Sequence, residues 1–153
     1  MGFDAQIEAL NLTLPPASTP AGAYKLAVRS GNQLYVSGHG PTQLNGAWLT
    51  GRVVDDLDLK EAYAAARQTG LAMLATLRAE LGSLDAIEYL VKATGFVNCP
   101  SDFTQQPQVM NGFSELMGEV FGPEAGFAAR SAVGVGSLPG GIPVEVEAIF
   151  QLR

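Results

Sequence analysis

From Asp58 onward, apolar side chains recur at Leu59, Tyr63, Ala66, Met73, Leu77 and Leu81. They form one face of a 3.6-residue period, which predicts a helix. Asp58 with Glu61 three residues later fits a capping box, with Asp in place of the usual Ser or Thr. Gly82 stands where a C-terminal glycine stop is expected. A second helix is predicted over roughly Phe103 to Phe121, with Val109, Phe113, Leu116, Met117 and Val120 inward, ended by Gly122 and Pro123. Elsewhere the period is two. "KLAVRSGNQLYVSG" reads as two short strands around a Ser30-Gly31-Asn32 turn. "PTQLNGAWLTGRV" repeats the idea, with Asn45-Gly46 as the turn and "AWLTGRV" as a strand. Further strands are predicted at about Ile87–Val97, Ala129–Gly136 and Ile142–Leu152. In the last, Val144, Val146, Ala148 and Phe150 share one face, and Glu145 and Glu147 share the other.

The segment up to about Leu12 is a candidate short helix, and "PPASTPAGAY" breaks regular structure after it. The order β-β-β-α-β-α-β-β predicts an α+β domain with two helices on one face of a sheet. The bare other face would need a partner chain. At 153 residues the chain is expected to be a single domain over 1–153, with 1–20 as an N-terminal extension.

Composition sharpens this. Charged residues make up 16% of the chain, against roughly 25% in an ordinary soluble domain. That shortfall agrees with a surface covered by another chain. The net charge of −6 and nine unclustered basic residues argue against a nucleic-acid partner. Cys99 is the only cysteine and His39 the only histidine, so neither an intrachain disulfide nor a Cys/His metal set is expected. With no signal-like start and no apolar run of about 20 residues, the expected setting is the cytoplasm and no membrane partner is expected.

Candidate chemistry centres on Arg130. It is the only charged side chain in "GFAARSAVGVGSLPGGIPV". It reads either as a surface arginine at a strand start or as a carboxylate anchor, whose planar fork matches a carboxylate in two hydrogen bonds. Glu145 and Glu147, about 6.7 Å apart along one strand face, are either a solvated outer face or a site with one partly buried, proton-shuttling carboxylate. In the second reading Arg130, on a neighbouring strand, is the positive partner of Glu145. His39, between Gly38 and Gly40, is either an incidental loop residue or an acid–base group. Tyr24 reads as a core or interface aromatic, and Cys99 as inert.

"ARSAVGVGSLPGGIPVEVEAIF" resembles the RidA family, also called YjgF or L-PSP, in its alanine-arginine-serine, its leucine-proline turn and its Glu-x-Glu-Ala strand. "GAYKLAVRSGNQLYVSGHGP" is similar to the family's first hairpin, and "QVMNGFSELMGEVFG" to its second helix. The longer central segments resemble a less characterised branch. The resemblance runs from about Ala21 to Arg153. It implies a chorismate-mutase-like fold, a homotrimer with clefts at subunit boundaries, and cofactor-free hydrolysis of small 2-imino acids to 2-oxo acids and ammonia. It also leaves an RNA-cleaving translation inhibitor and a non-catalytic trimer binding a small carboxylic acid as alternatives. By resemblance Arg130 binds the carboxylate and Glu145 holds the attacking water. Tyr24, Ser37, Gly38 and Asn111 line the site, with His39 where the family usually has glutamine. Ala132 replaces a family cysteine, so only its backbone would serve.

Overall fold

A computed structural model describes all 153 residues. Helix α1 (Phe3–Ala9) precedes strands β1 (Ala27–Ser30) and β2 (Gln33–His39). Helix α2 (Leu59–Leu81), strand β3 (Ile87–Asn98) and helix α3 (Gln106–Phe121) follow. A single turn, α4 (Pro123–Gly126), leads into β4 (Ala129–Val135), and β5 (Val144–Leu152) completes the chain. The five strands form one sheet in the order β1-β2-β5-β3-β4. Only β3 and β4 run parallel. A parallel neighbour requires a long crossover, and α3 provides it.

The local signals at α2 operate as expected. The Asp58 side chain accepts from the Glu61 amide, the Glu61 carboxylate accepts from the Asp58 amide, and Gly82 ends the helix at φ 80°. The second helix starts at Gln106 rather than near Phe103. A start at Phe103 would put Pro107 in the helix interior, where it has no N–H to donate. Here Pro107 occupies the first turn, and the Phe103 carbonyl accepts from the Gln106 side chain instead, at 2.8 Å.

One predicted strand is absent. "AWLTGRV" forms a loop with only isolated bridges, Thr42 to Trp48 and Val53 to Leu57. Gly51 at φ 133° and Val54 at φ 80° turn the backbone away from strand geometry. The loop is instead tied down at both ends. The Gly51 amide donates to the Gly141 carbonyl at 2.9 Å, and the Val53 amide to the Asn98 carbonyl at 2.9 Å.

Both long helices cover one face of the sheet, as the pattern predicts. Phe113, Phe150, Met73, Leu74 and Leu77 are among the side chains buried between these layers. The helices approach closely at Gly112, where any Cβ would collide with the Tyr63 carbonyl. Helix α1 joins the same core through Ile7. It is held by Asp4, whose carboxylate accepts from the Ser83 hydroxyl at 2.6 Å and the Leu84 amide at 3.1 Å. Register assigns the opposite, uncovered face. Val28 pairs with Tyr35, Tyr35 with Ile149, and Phe96 with both Glu145 and Val133. Val28, Tyr35 and Val133 are all exposed there.

Candidate functional site

The sequence candidates separate into two groups on opposite faces of the sheet. The first gathers around Glu145. Its carboxylate rests on the β2 backbone, so that a Cβ at Gly38 would lie 2.6 Å from Glu145 Oε1. The irregular register of β2 between Val36 and His39 falls at this point. Tyr24, Ser37, Gly38, Glu145 and Glu147 share a cleft of about 490 Å³. The Ser37 hydroxyl donates to the Lys25 carbonyl at 2.6 Å. The Tyr24 hydroxyl accepts from the Ala21 amide at 3.3 Å. Tyr24 is thereby folded onto the turn that precedes it and left about half exposed.

Burial pushes the Glu145 carboxyl above the ordinary glutamate range, and the negative charge of Glu147 adds to the rise. Loss of hydration disfavours the ionised form, and a like charge does the same. The result is a carboxyl group that exchanges a proton more readily near neutral pH than an ordinary glutamate.

The second group surrounds Arg130. In β4 Arg130 pairs with Ala93, which in turn pairs with Ala148. All three therefore face the helices. Arg130 Nη1 donates to Asn111 Oδ1 at 3.0 Å and to Ser114 Oγ at 3.1 Å, both on α3. Nη2 makes only a long 3.5 Å contact with the Pro107 carbonyl. Ala132 lies on the same face of β4, packed against the core. Its neighbour on that face, Gly134, leaves room for the thiol of Cys99, which a Cβ there would meet at 2.9 Å. The thiol is raised by burial, which suits the inert reading.

Two expectations need correction. Arg130 is not the counter-charge of Glu145 within one chain. Strand β3 lies between their strands, and Glu145 pairs with Phe96 on the uncovered face. His39 is not a loop residue beside the cleft contents. It closes β2, is 3% exposed, and points its ring between sheet and α2. Nδ1 contacts the Ser37 carbonyl at 2.7 Å, and Nε2 contacts Thr76 Oγ1 at 2.8 Å. Burial lowers its pKa, which keeps it neutral.

Sequence reasoning missed Ser114, which shares Asn111's role, and Trp48, which lines the Glu145 cleft. Ser114 follows Asn111 by three residues, and that spacing places both on one helix face. A larger groove of about 660 Å³ runs between Leu44, Leu49 and α2 but contains none of the candidates.

The sequence profile of the family described as Endoribonuclease L-PSP matches residues 15–151. The chain belongs to that family. It is 43% identical to Protein TCP17 of Trypanosoma cruzi, over 97% of this chain and 93% of that protein. It is 30% identical to a 2-iminobutanoate/2-iminopropanoate deaminase of Dermatophagoides farinae, over 93% of this chain and 95% of that one. The crystal structure of Atu1372, a protein of unknown function from Agrobacterium tumefaciens, superimposes with a TM-score of 0.89. It is 37% identical and covers 99% of this chain and 92% of its own. The family resemblance drawn from the arginine and glutamate motifs is therefore correct, and so is the α+β architecture.

Proposed function

We propose that the chain is a cofactor-independent imine deaminase that converts small 2-imino acids and water to 2-oxo acids and ammonia. The observation that carries this is the Glu145 carboxyl, half-buried, raised in pKa and seated on Gly38 at the floor of an open cleft. Likeness to a relative named as such a deaminase supports it.

The active assembly is proposed to be a trimer, in which the Arg130 group of one chain completes the Glu145 cleft of its neighbour. Three features favour this. The two groups lie on opposite faces of one chain's sheet, β4 is an edge strand, and the uncovered face carries exposed Val28, Tyr35 and Val133. Arg130, held by Asn111 and Ser114, receives the substrate carboxylate. Charge-assisted hydrogen bonds of this kind contribute about 1.5–3 kcal/mol each. Water held by Glu145 attacks C2 of the imine. A C–O bond forms, and the carboxylate takes a proton from the water. The carboxyl returns that proton to the nitrogen, giving a carbinolamine; it then takes the hydroxyl proton and passes it to the amine as the C–N bond breaks, so that ammonia leaves and a 2-oxo acid remains. A carboxyl with a raised pKa can both accept and return that proton. In this proposal backbone groups at Gly38 and at Ala132 of the neighbouring chain hold the imine nitrogen. His39 contributes its backbone only, because its ring is committed to the core.

The test generates 2-iminobutanoate in situ with a threonine dehydratase and traps the free imine with semicarbazide. Native protein is expected to reduce the trapped fraction, and Arg130→Ala to abolish the effect. No acceleration by native protein rejects the proposal. Binding of a 2-oxo acid that depends on Arg130 without any turnover would identify a binding protein instead.

A further inference from the structure

The part of the Glu145 cleft that one chain supplies carries two aromatic side chains. Trp48 and Tyr24 line it, 45% and 47% exposed. The cleft adjoins a recess of about 280 Å³ that shares Tyr24, Gly38 and Trp48 and is backed by Pro16 and Leu26. Trp48 is not a loosely held surface aromatic. Its ring lies against Gly140, where a Cβ would come within 2.5 Å of it, and Gly140 adopts φ 64°. The loop carrying it is fixed by the Leu49 amide to the Pro41 carbonyl at 3.0 Å and by the Gly51 amide to the Gly141 carbonyl at 2.9 Å.

From this we infer that Trp48 is a specificity residue, and that the site takes 2-imino acids with a bulky apolar side chain, aromatic ones above all. The inference rests on the deaminase reading and names its substrate class. An ethyl side chain would leave the open surfaces of Trp48 and Tyr24 hydrated. A phenyl ring covers them, and a rigid aromatic wall rewards a flat apolar partner beyond the area it buries. In an apolar pocket each added methylene changes selectivity by roughly tenfold or more.

The experiment compares two imines, from phenylalanine and from 2-aminobutanoate. Each is made by an L-amino-acid oxidase, which reduces oxygen to hydrogen peroxide while oxidising the amine, with catalase present. Native protein should hydrolyse the phenylalanine imine with kcat/KM about tenfold or more above the smaller one. Trp48→Ala should collapse that ratio, and Trp48→Phe should largely keep it. Calorimetric titration with phenylpyruvate and 2-oxobutanoate adds a readout independent of turnover. Tighter binding of phenylpyruvate that depends on Trp48, without hydrolysis of either imine, would reject the deaminase reading and keep Trp48 as the selector. Equal kcat/KM for the two imines, an equal loss on both in Trp48→Ala, or faster turnover of an arginine-derived imine would overturn the inference.

Discussion

Glu145 is packed against Gly38 so closely that no other residue fits at position 38 without moving the carboxylate, since a Cβ would stand 2.6 Å from Oε1 and 2.8 Å from Cδ. The carboxylate position is thus set by the absence of a side chain on the neighbouring strand. Gly38→Ala should leave the fold intact by circular dichroism and lower imine-hydrolysis kcat/KM about a hundredfold, the scale of a misplacement near 1 Å. Native-like turnover in this variant would remove Glu145 from the reaction.

The separation of Arg130 from Glu145 makes a second prediction. Arg130→Ala and Glu145→Gln should each be inactive alone. Co-refolded together, they should regain activity, because some boundaries then join an intact Arg130 to an intact Glu145. Random assortment gives about a quarter of the boundaries. Activity that stays at the single-variant level would mean that both residues act within one chain.

The raised pKa of Glu145 predicts the acid limb of the rate profile. Activity should fall as pH drops through a value above the ordinary glutamate range, because the ionised carboxylate takes the proton from water. Glu147→Gln should move that limb to lower pH, since removing the like charge eases ionisation of Glu145. The sign for stability is opposite. A carboxyl raised in the folded state is penalised as pH rises above its unfolded value. Glu145→Gln should therefore melt above native protein near pH 7 and converge with it in acid.

His39 titrates the other way. An unfolded histidine takes up a proton near the ordinary value of 6.5, and the buried ring does so only at lower pH. Its contribution to stability is full above that value and is lost as pH falls below it. Urea unfolding of native protein should show this loss, and His39→Gln should lack it.

Gly112 fixes the distance between α2 and α3, and with it the place of Asn111. Gly112→Ala sets a methyl against the Tyr63 carbonyl, a backbone atom that cannot rotate away. A loss of about 3 kcal/mol is expected in urea unfolding, at the upper end for overpacking, together with weaker carboxylate binding as Asn111 moves from Arg130.

The parts legible in the sequence are those with local causes. The α2 capping box and the Gly82 stop depend on residues within a turn of each other, and the structure forms both. Alternation in β5 correctly placed Val144, Val146 and Ala148 inward. Two features had no local signal. Arg130 is flanked by Ala129 and Ser131, which mark neither face of β4. The insertion of β3 between β4 and β5 is a long-range pairing. Both had to be known to see that Arg130 faces away from Glu145. His39 was misjudged for a related reason: its partner Thr76 lies 37 residues away on α2. Trp48 sat in a stretch whose alternation imitates a strand, and the backbone angles at Gly51 and Val54 overrule that alternation.

The seating of Trp48 on Gly140 has an optical consequence. The chain contains one tryptophan, so its tryptophan emission arises from a single indole in the lining of the cleft. Loss of the contact with the 138–141 turn would expose more of the ring to water and shift the emission to longer wavelength, and an occupant in the cleft would shield it. The protein carries its own reporter of an occupied cleft, one that needs no label.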